Sequence, residues 1–134
     1  MATEPAVIRR VMEVNFFGAV HCTRAALGDL VRTRGLIVAI SSVAGFSPLI
    51  ARTGYAASKH ALHGFFDSLR TELVDSGVDA LLVCPAFIAT GIERNALGAD
   101  GAPAAFRSPR QQSCGGAWVR FRPRGGCACA WAAP

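Results

Sequence analysis

An α/β fold built on a parallel sheet is what this sequence predicts, and three observations carry that reading. Two short runs, 36–40 and 78–84, are apolar at nearly every position and rich in β-branched residues. Successive rather than alternating apolar positions read as strands covered on both faces, as in a parallel sheet. Each run follows a longer stretch whose apolar residues recur at helical spacing, and the order helix, strand, helix, strand implies a right-handed crossover.

The first helix is read over 4–33. Thr3 is its expected N-cap, Glu4 and Pro5 suit its first turn, and Ile8, Val11, Met12, Val20, Leu27, Leu30 and Val31 supply its apolar stripe. Gly35 is placed to close it. The strand 36–40 follows, then a loop over 41–53 punctuated by Gly45 and Pro48. A second helix is expected over 55–75, with Leu62, Phe65, Phe66, Leu69 and Leu73 on its buried face and Gly77 at its end. Pro85 stops the second strand.

Charge divides the chain in two. The net charge is +5, yet residues 1–100 carry nine basic and nine acidic residues, and the excess lies in Arg107, Arg110, Arg120, Arg122 and Arg124. The expected division is therefore a body over 1–101 and a basic, low-order tail over 102–134, in which no helical or strand period is found. Two readings of that tail stand: a nucleic-acid-binding extension, or out-of-frame translation of GC-rich DNA. Few stacking aromatics and no lysine accompany its arginines, so nucleic acid is not an expected partner.

Cys22 and Cys84 lie in apolar stretches and are expected as buried free thiols. With Cys114, Cys127 and Cys129 they make five, an odd number without zinc-module spacing, so neither a disulfide framework nor a metal site is expected. No apolar run reaches the eighteen residues or so that a membrane span needs, and the N-terminus carries no signal-peptide pattern. A cytoplasmic location and no membrane partner are the expectation.

The chemistry gathers around one tyrosine and one lysine, four residues apart in Tyr55-Ala56-Ala57-Ser58-Lys59. On a helix these share a face. A phenol ordinarily titrates near ~10, and bringing one to ~7 takes about 4 kcal/mol. An ammonium ~4 Å away at an effective dielectric of ~20 supplies about that much. Ser42 lies thirteen residues before Tyr55, just past the end of the first strand, on the side where open parallel sheets bind ligands. Two hydroxyls there can grip one carbonyl oxygen.

These residues resemble the short-chain dehydrogenase/reductase family. The Tyr-x-x-x-Lys pair, the Ser41-Ser42-Val43-Ala44-Gly45 segment, the Asn15-Phe16-Phe17-Gly18 stretch and Cys84-Pro85-Ala86-Phe87-Ile88-Ala89-Thr90 stand in the family's order over residues 4–97, with Ala86 where glycine is usual. The resemblance implies a partial Rossmann-like, doubly wound parallel sheet and an NAD(P)-dependent oxidoreductase that moves hydride between nicotinamide and a small carbonyl or alcohol substrate. It implies Tyr55 as general acid/base, Lys59 activating it and holding the nicotinamide ribose, and Ser42 stabilising the substrate oxygen. Asn15 would hold a relay water behind Lys59, while Pro85, Ile88 and Thr90 would lie along the cofactor. Homo-oligomers through the helices 4–33 and 55–75 are implied too. His21, His60 and His63 have no metal spacing and receive no role.

The family's N-terminal strand, Gly-x-x-x-Gly-x-Gly turn and helix, which would receive the cofactor's pyrophosphate, have no counterpart in this sequence. The choice of NAD or NADP is therefore not legible. The 134 residues alone are expected to be inactive and marginally stable, and the alternative is a non-catalytic fragment acting as an interaction module.

Overall fold

The computed structural model describes residues 3–50, 52–86, 96–103, 117–121 and 128–132, the last two segments as backbone only. Its elements are α1 (Pro5–Met12), a π-helical turn (Glu13–Phe17), α2 (Gly18–Thr33), β1 (Leu36–Ile40), a 3-10 turn (Val43–Gly45), α3 (Thr53–Glu72), β2 (Asp79–Pro85), β3 (Ala117–Phe121) and β4 (Ala128–Ala132). The expected first helix is therefore three pieces. At its centre the Gly18 amide bonds the carbonyl of Glu13, five residues back, which widens the helix for one turn around Asn15.

Both helix ends depart from expectation. Thr3 does not cap α1: Glu4 is the N-cap, without a side-chain bond, and the Thr3 hydroxyl lies 3.4 Å from that of Thr53. The Glu4 amide is held instead by the Ala99 carbonyl at 3.1 Å. At the other end the left-handed residue is Arg34 (φ 53°), one position before the expected Gly35. The Gly35 amide then reaches back to Leu30 at 2.9 Å.

β1 and β2 pair in parallel, Leu36 with Asp79 through Ile40 with Val83, and α3 is the crossover between them. The core lies where α3 covers this pair. Ile37 and Ala39 of β1, Ala80 and Leu82 of β2, and Leu62, Phe66 and Leu73 from α3 and its C-cap are buried together, with Phe16, Leu27, Leu30, Phe65 and Leu69 packed around them. Arg70, also buried, donates from Nε to the Ala80 carbonyl at 2.8 Å and from Nη1 to Asp67 at 3.0 Å, fastening the end of α3 to β2. Gly77, at φ 77°, makes the turn into β2.

Three expectations about the sheet and its surroundings need correction. β1 is not covered on both faces: Leu36, Val38 and Ile40 are each about half exposed, because no described layer lies on that side. The sheet has four strands rather than two, in the order β1-β2-β3-β4, since β3 pairs antiparallel with β2 and β4 antiparallel with β3. A ladder needs only backbone donors and acceptors, so it forms here without the side-chain alternation that signals a strand. Cys22 is exposed on α2, whereas Cys84 is buried as expected. β1 is left at the sheet edge, and between it and α2 runs a groove of about 400 Å³ lined by residues including Ala19, Cys22, Thr23 and Leu30.

Candidate active site

Everything assigned a chemical role that lies among the described residues stands at or near the carboxyl end of the parallel pair. The Ser41 amide bonds the Val83 carbonyl at 2.8 Å, extending the ladder one residue beyond β1, and Ser42 comes next. Its side chain accepts from the Ala44 amide at 3.2 Å, so Ser42 caps the short 3-10 turn that opens the loop. Capping fixes the local backbone and leaves the half-buried hydroxyl able to donate elsewhere.

Tyr55 is the third residue of α3, so it begins the helix at the same end. One residue earlier, Gly54 is buried against α1: a Cβ there would lie 3.2 Å from Ile8 Cγ1 and 3.4 Å from Ile8 Cα. That close approach seats the first turn of α3 on α1. Lys59 follows Tyr55 by one turn. Its Nζ donates to the carbonyl of Ile40, the last residue of β1, at 3.1 Å and stands 5.7 Å from the centroid of the Tyr55 ring. Burial pushes the Lys59 ammonium below the ordinary lysine value, and the charge of an ionised Cys84 opposes that shift.

Asn15 comes into this region from the π-helical turn. Its Nδ2 donates to Ser58 Oγ at 3.0 Å, and the Ser58 hydroxyl donates to the Tyr55 carbonyl at 2.7 Å. Asn15 is thus tied to the turn of α3 that carries Tyr55 and Lys59. Pro85 ends β2, half-buried. Ile88 and Thr90 lie outside the described residues. Among the described residues no group of His, Cys, Asp and Glu has the makings of a metal site.

The sequence reading missed Ser41, Gly45, Ser58 and His63. His63, expected on a helix face with no role, is buried, with Nε2 2.9 Å from Ser41 Oγ. The signal was present: it sits one turn past Lys59 and two past Tyr55, on the face those residues define. His60 is exposed, with Nδ1 2.9 Å from the Ala56 carbonyl.

The nicotinamide end of a cofactor fits the donors in this region. Lys59 offers three N–H groups and spends one on Ile40, and the Ser42 and Tyr55 hydroxyls come from the end of the sheet where such folds bind ligands. Among the described residues no glycine-rich turn joins a strand to a helix N-terminus in the way a pyrophosphate requires.

Comparison with known proteins agrees with this architecture. Residues 1–100 match the family model described as short chain dehydrogenase. The chain is 49% identical over 96 residues to dehydrogenase/reductase SDR family member 7B of Rattus norvegicus, covering 71% of this chain and 30% of that protein. The Bos taurus protein of the same name is 46% identical over 100 residues, covering 74% and 31%. In structure, acetoin dehydrogenase from Enterobacter cloacae superposes with a TM-score of 0.63 at 33% identity, covering 69% of this chain and 39% of that one. A short chain dehydrogenase from Burkholderia cenocepacia, solved in complex with NADP, gives 0.65 at 30% identity, covering 74% and 42%. The chain spans less than a third of the length of the curated relatives named here. No described helix is long and apolar enough to cross a membrane. With its partial Rossmann-like α/β fold, the chain belongs to the short chain dehydrogenase family.

Proposed function

We propose that residues 1–101 are the catalytic half of an NAD(P)-dependent oxidoreductase acting on a carbonyl or alcohol group. The observation that carries this is the attachment of Lys59 to the end of β1, which fixes the Tyr55 helix against the Ser42 loop. The nicotinamide, when bound, supplies or accepts the hydride. Tyr55 donates its hydroxyl proton to the substrate oxygen, and Ser42 donates a hydrogen bond to the same atom. Lys59 keeps a positive charge beside the Tyr55 ring and offers its remaining N–H donors to the nicotinamide ribose. Asn15, anchored through Ser58, keeps its amide oxygen for a water behind Lys59. Pro85, with Ile88 and Thr90, borders the nicotinamide. The exposed side chains of Phe46 and Ile50 follow Ser42 in the loop and favour an apolar carbonyl substrate.

The cofactor is NAD or NADP; the complex of the Burkholderia cenocepacia protein supports the general class. The 134 residues contain no Gly-x-x-x-Gly-x-Gly turn, so the test supplies an adenosine-binding segment. The test is a fusion of the Gly-rich N-terminal half of the rat relative to this chain. The fusion should oxidise NAD(P)H with an aliphatic ketone, and Tyr55→Phe should lower the rate by ~10²–10⁴-fold. A fusion that binds cofactor and keeps its rate as Tyr55→Phe would refute the reading.

A second reading has its own support. Val14 (70%), Phe17 (40%) and Val31 (41%) are exposed apolar side chains on α2 and the turn before it, available for association between copies. A non-catalytic interaction module would self-associate through them, and replacing all three residues by Ser would abolish the association. The enzyme reading requires the same change to leave nicotinamide binding in place.

A further inference from the structure

Ser41, His63 and Cys84 form a buried polar cluster that the proposed chemistry does not use; their exposures are 4%, 7% and 1%. The cluster centres on one nitrogen. His63 Nε2 lies 2.9 Å from Ser41 Oγ and 3.5 Å from Cys84 Sγ, while the Ser41 hydroxyl also reaches the Lys59 carbonyl at 3.5 Å. The end of β1, the end of β2 and the inner face of α3 therefore meet at a single imidazole.

That imidazole also gauges the loop. A Cβ built on Gly45 would lie 2.4 Å from His63 Nε2 and 2.9 Å from Ser41 Oγ, so only glycine lets the loop settle at this depth. Ser42 sits between these two contact points, one residue after Ser41 and three before Gly45. The Gly45 amide closes the turn onto the Ser42 carbonyl at 2.9 Å. An apolar side chain would fill the same volume without fixing a distance. A buried hydrogen bond fixes one, because losing a partner costs more than the bond itself contributes.

We propose that His63 is a positioning residue for Ser42: by holding Ser41 Oγ and bearing on Gly45, it sets the Ser42 loop in register with Tyr55 and Lys59 on the same helix. The assignment rests on the reading of Ser42 as the donor to the substrate oxygen. Tyr55, Lys59 and His63 then form one face of α3, with the first two toward the reaction and the third toward the loop that completes it.

Amide hydrogen exchange on the 134-residue chain, followed residue by residue by NMR, tests this. The reporters are the amides of Gly45, bonded to Ser42, and Ser47, bonded to the Val43 carbonyl at 2.9 Å. Ser41→Ala, which removes the hydroxyl that meets His63 Nε2 and the Lys59 carbonyl without opening a large cavity, should speed exchange at both by about tenfold. The amides of α3 should keep the wild-type rate. His63→Leu should do the same, whereas His63→Gln, which retains an N–H donor, should stay near wild type. Unchanged exchange in Ser41→Ala would overturn the proposal, as would a His63→Gln variant indistinguishable from His63→Leu. A His63→Leu change spread evenly over α3 and β1 would mark a purely structural residue and overturn it equally. The readout needs no cofactor, so a failure to bind nicotinamide would count against the proposed function and leave this result to be judged separately.

Discussion

Lys59 Nζ donates to the Ile40 carbonyl at 3.1 Å, joining the second turn of α3 to the last residue of β1. The side chain is half-buried, and the partial loss of water around the ammonium lowers its pKa from 10.5. A lysine whose folded value is lowered binds fewer protons folded than unfolded in the window between the two values. Wild-type stability therefore rises, relative to a variant without the charge, as pH climbs from the folded pKa toward 10.5. The expected result is a urea midpoint difference between Lys59→Met and wild type that moves in favour of wild type between neutral pH and pH 10.5. A difference independent of pH would show that burial does not perturb Lys59.

Gly45 and His63 should be energetically coupled. Adding a Cβ 2.4 Å from Nε2 overpacks the site, and Gly45→Ala should destabilise by about 1–3 kcal/mol. In His63→Ala the ring is gone and only the 2.9 Å approach to Ser41 Oγ remains for the added methyl, so the double variant should cost less than the sum of the two. Denaturant titrations of the four proteins measure the coupling. Strict additivity would show that the two residues do not touch.

Arg34 carries the left-handed conformation that ends α2. The sequence points to Gly35 as the closing residue, and the left-handed residue lies one position earlier. A non-glycine residue there costs about 1–2 kcal/mol. Arg34→Gly should accordingly raise stability by about 0.5–1 kcal/mol, allowing for the freedom glycine adds to the unfolded chain. A loss of stability would mean that Arg34 contributes packing, its Cγ lying near Gly77, that outweighs its backbone strain.

The open edge and uncovered face of β1 should make the isolated chain associate. Val38 is 49% exposed at the middle of that edge strand. Val38→Lys places a charge on the uncovered face, a common way in which proteins keep edges from pairing. Sedimentation should show wild type associating with rising concentration and the variant remaining monomeric. Equal association in both would place the contact elsewhere.

The sequence made some of this legible and concealed the rest for identifiable reasons. The α3 stripe was readable because Leu62, Phe66 and Leu73 repeat at helical spacing and face a single layer. That Tyr55, Lys59 and Ser42 lie at one end of the parallel pair was readable, because the first two are one helical turn apart and the third follows the end of β1. The π-helical turn at Asn15 was not, since the apolar stripe read over 4–33 leaves a gap between Met12 and Val20 that hides a change of phase. The half-exposed face of β1 was missed because a run of apolar residues states what a strand can bury, not what is there to bury it. β3 and β4 were missed because their pairing rests on backbone hydrogen bonds.

The most direct test of the central claim uses half of the cofactor. Reduced nicotinamide mononucleotide, titrated into the 134-residue chain and followed by NMR, isolates the portion that the Ser42, Tyr55 and Lys59 region would hold. The account expects weak but saturable shifts concentrated at those three residues, reduced in Lys59→Ala, and none at the same residues from adenosine monophosphate. Shifts of equal size from both nucleotides, or no response at Ser42, Tyr55 and Lys59 at millimolar nicotinamide mononucleotide, would contradict it.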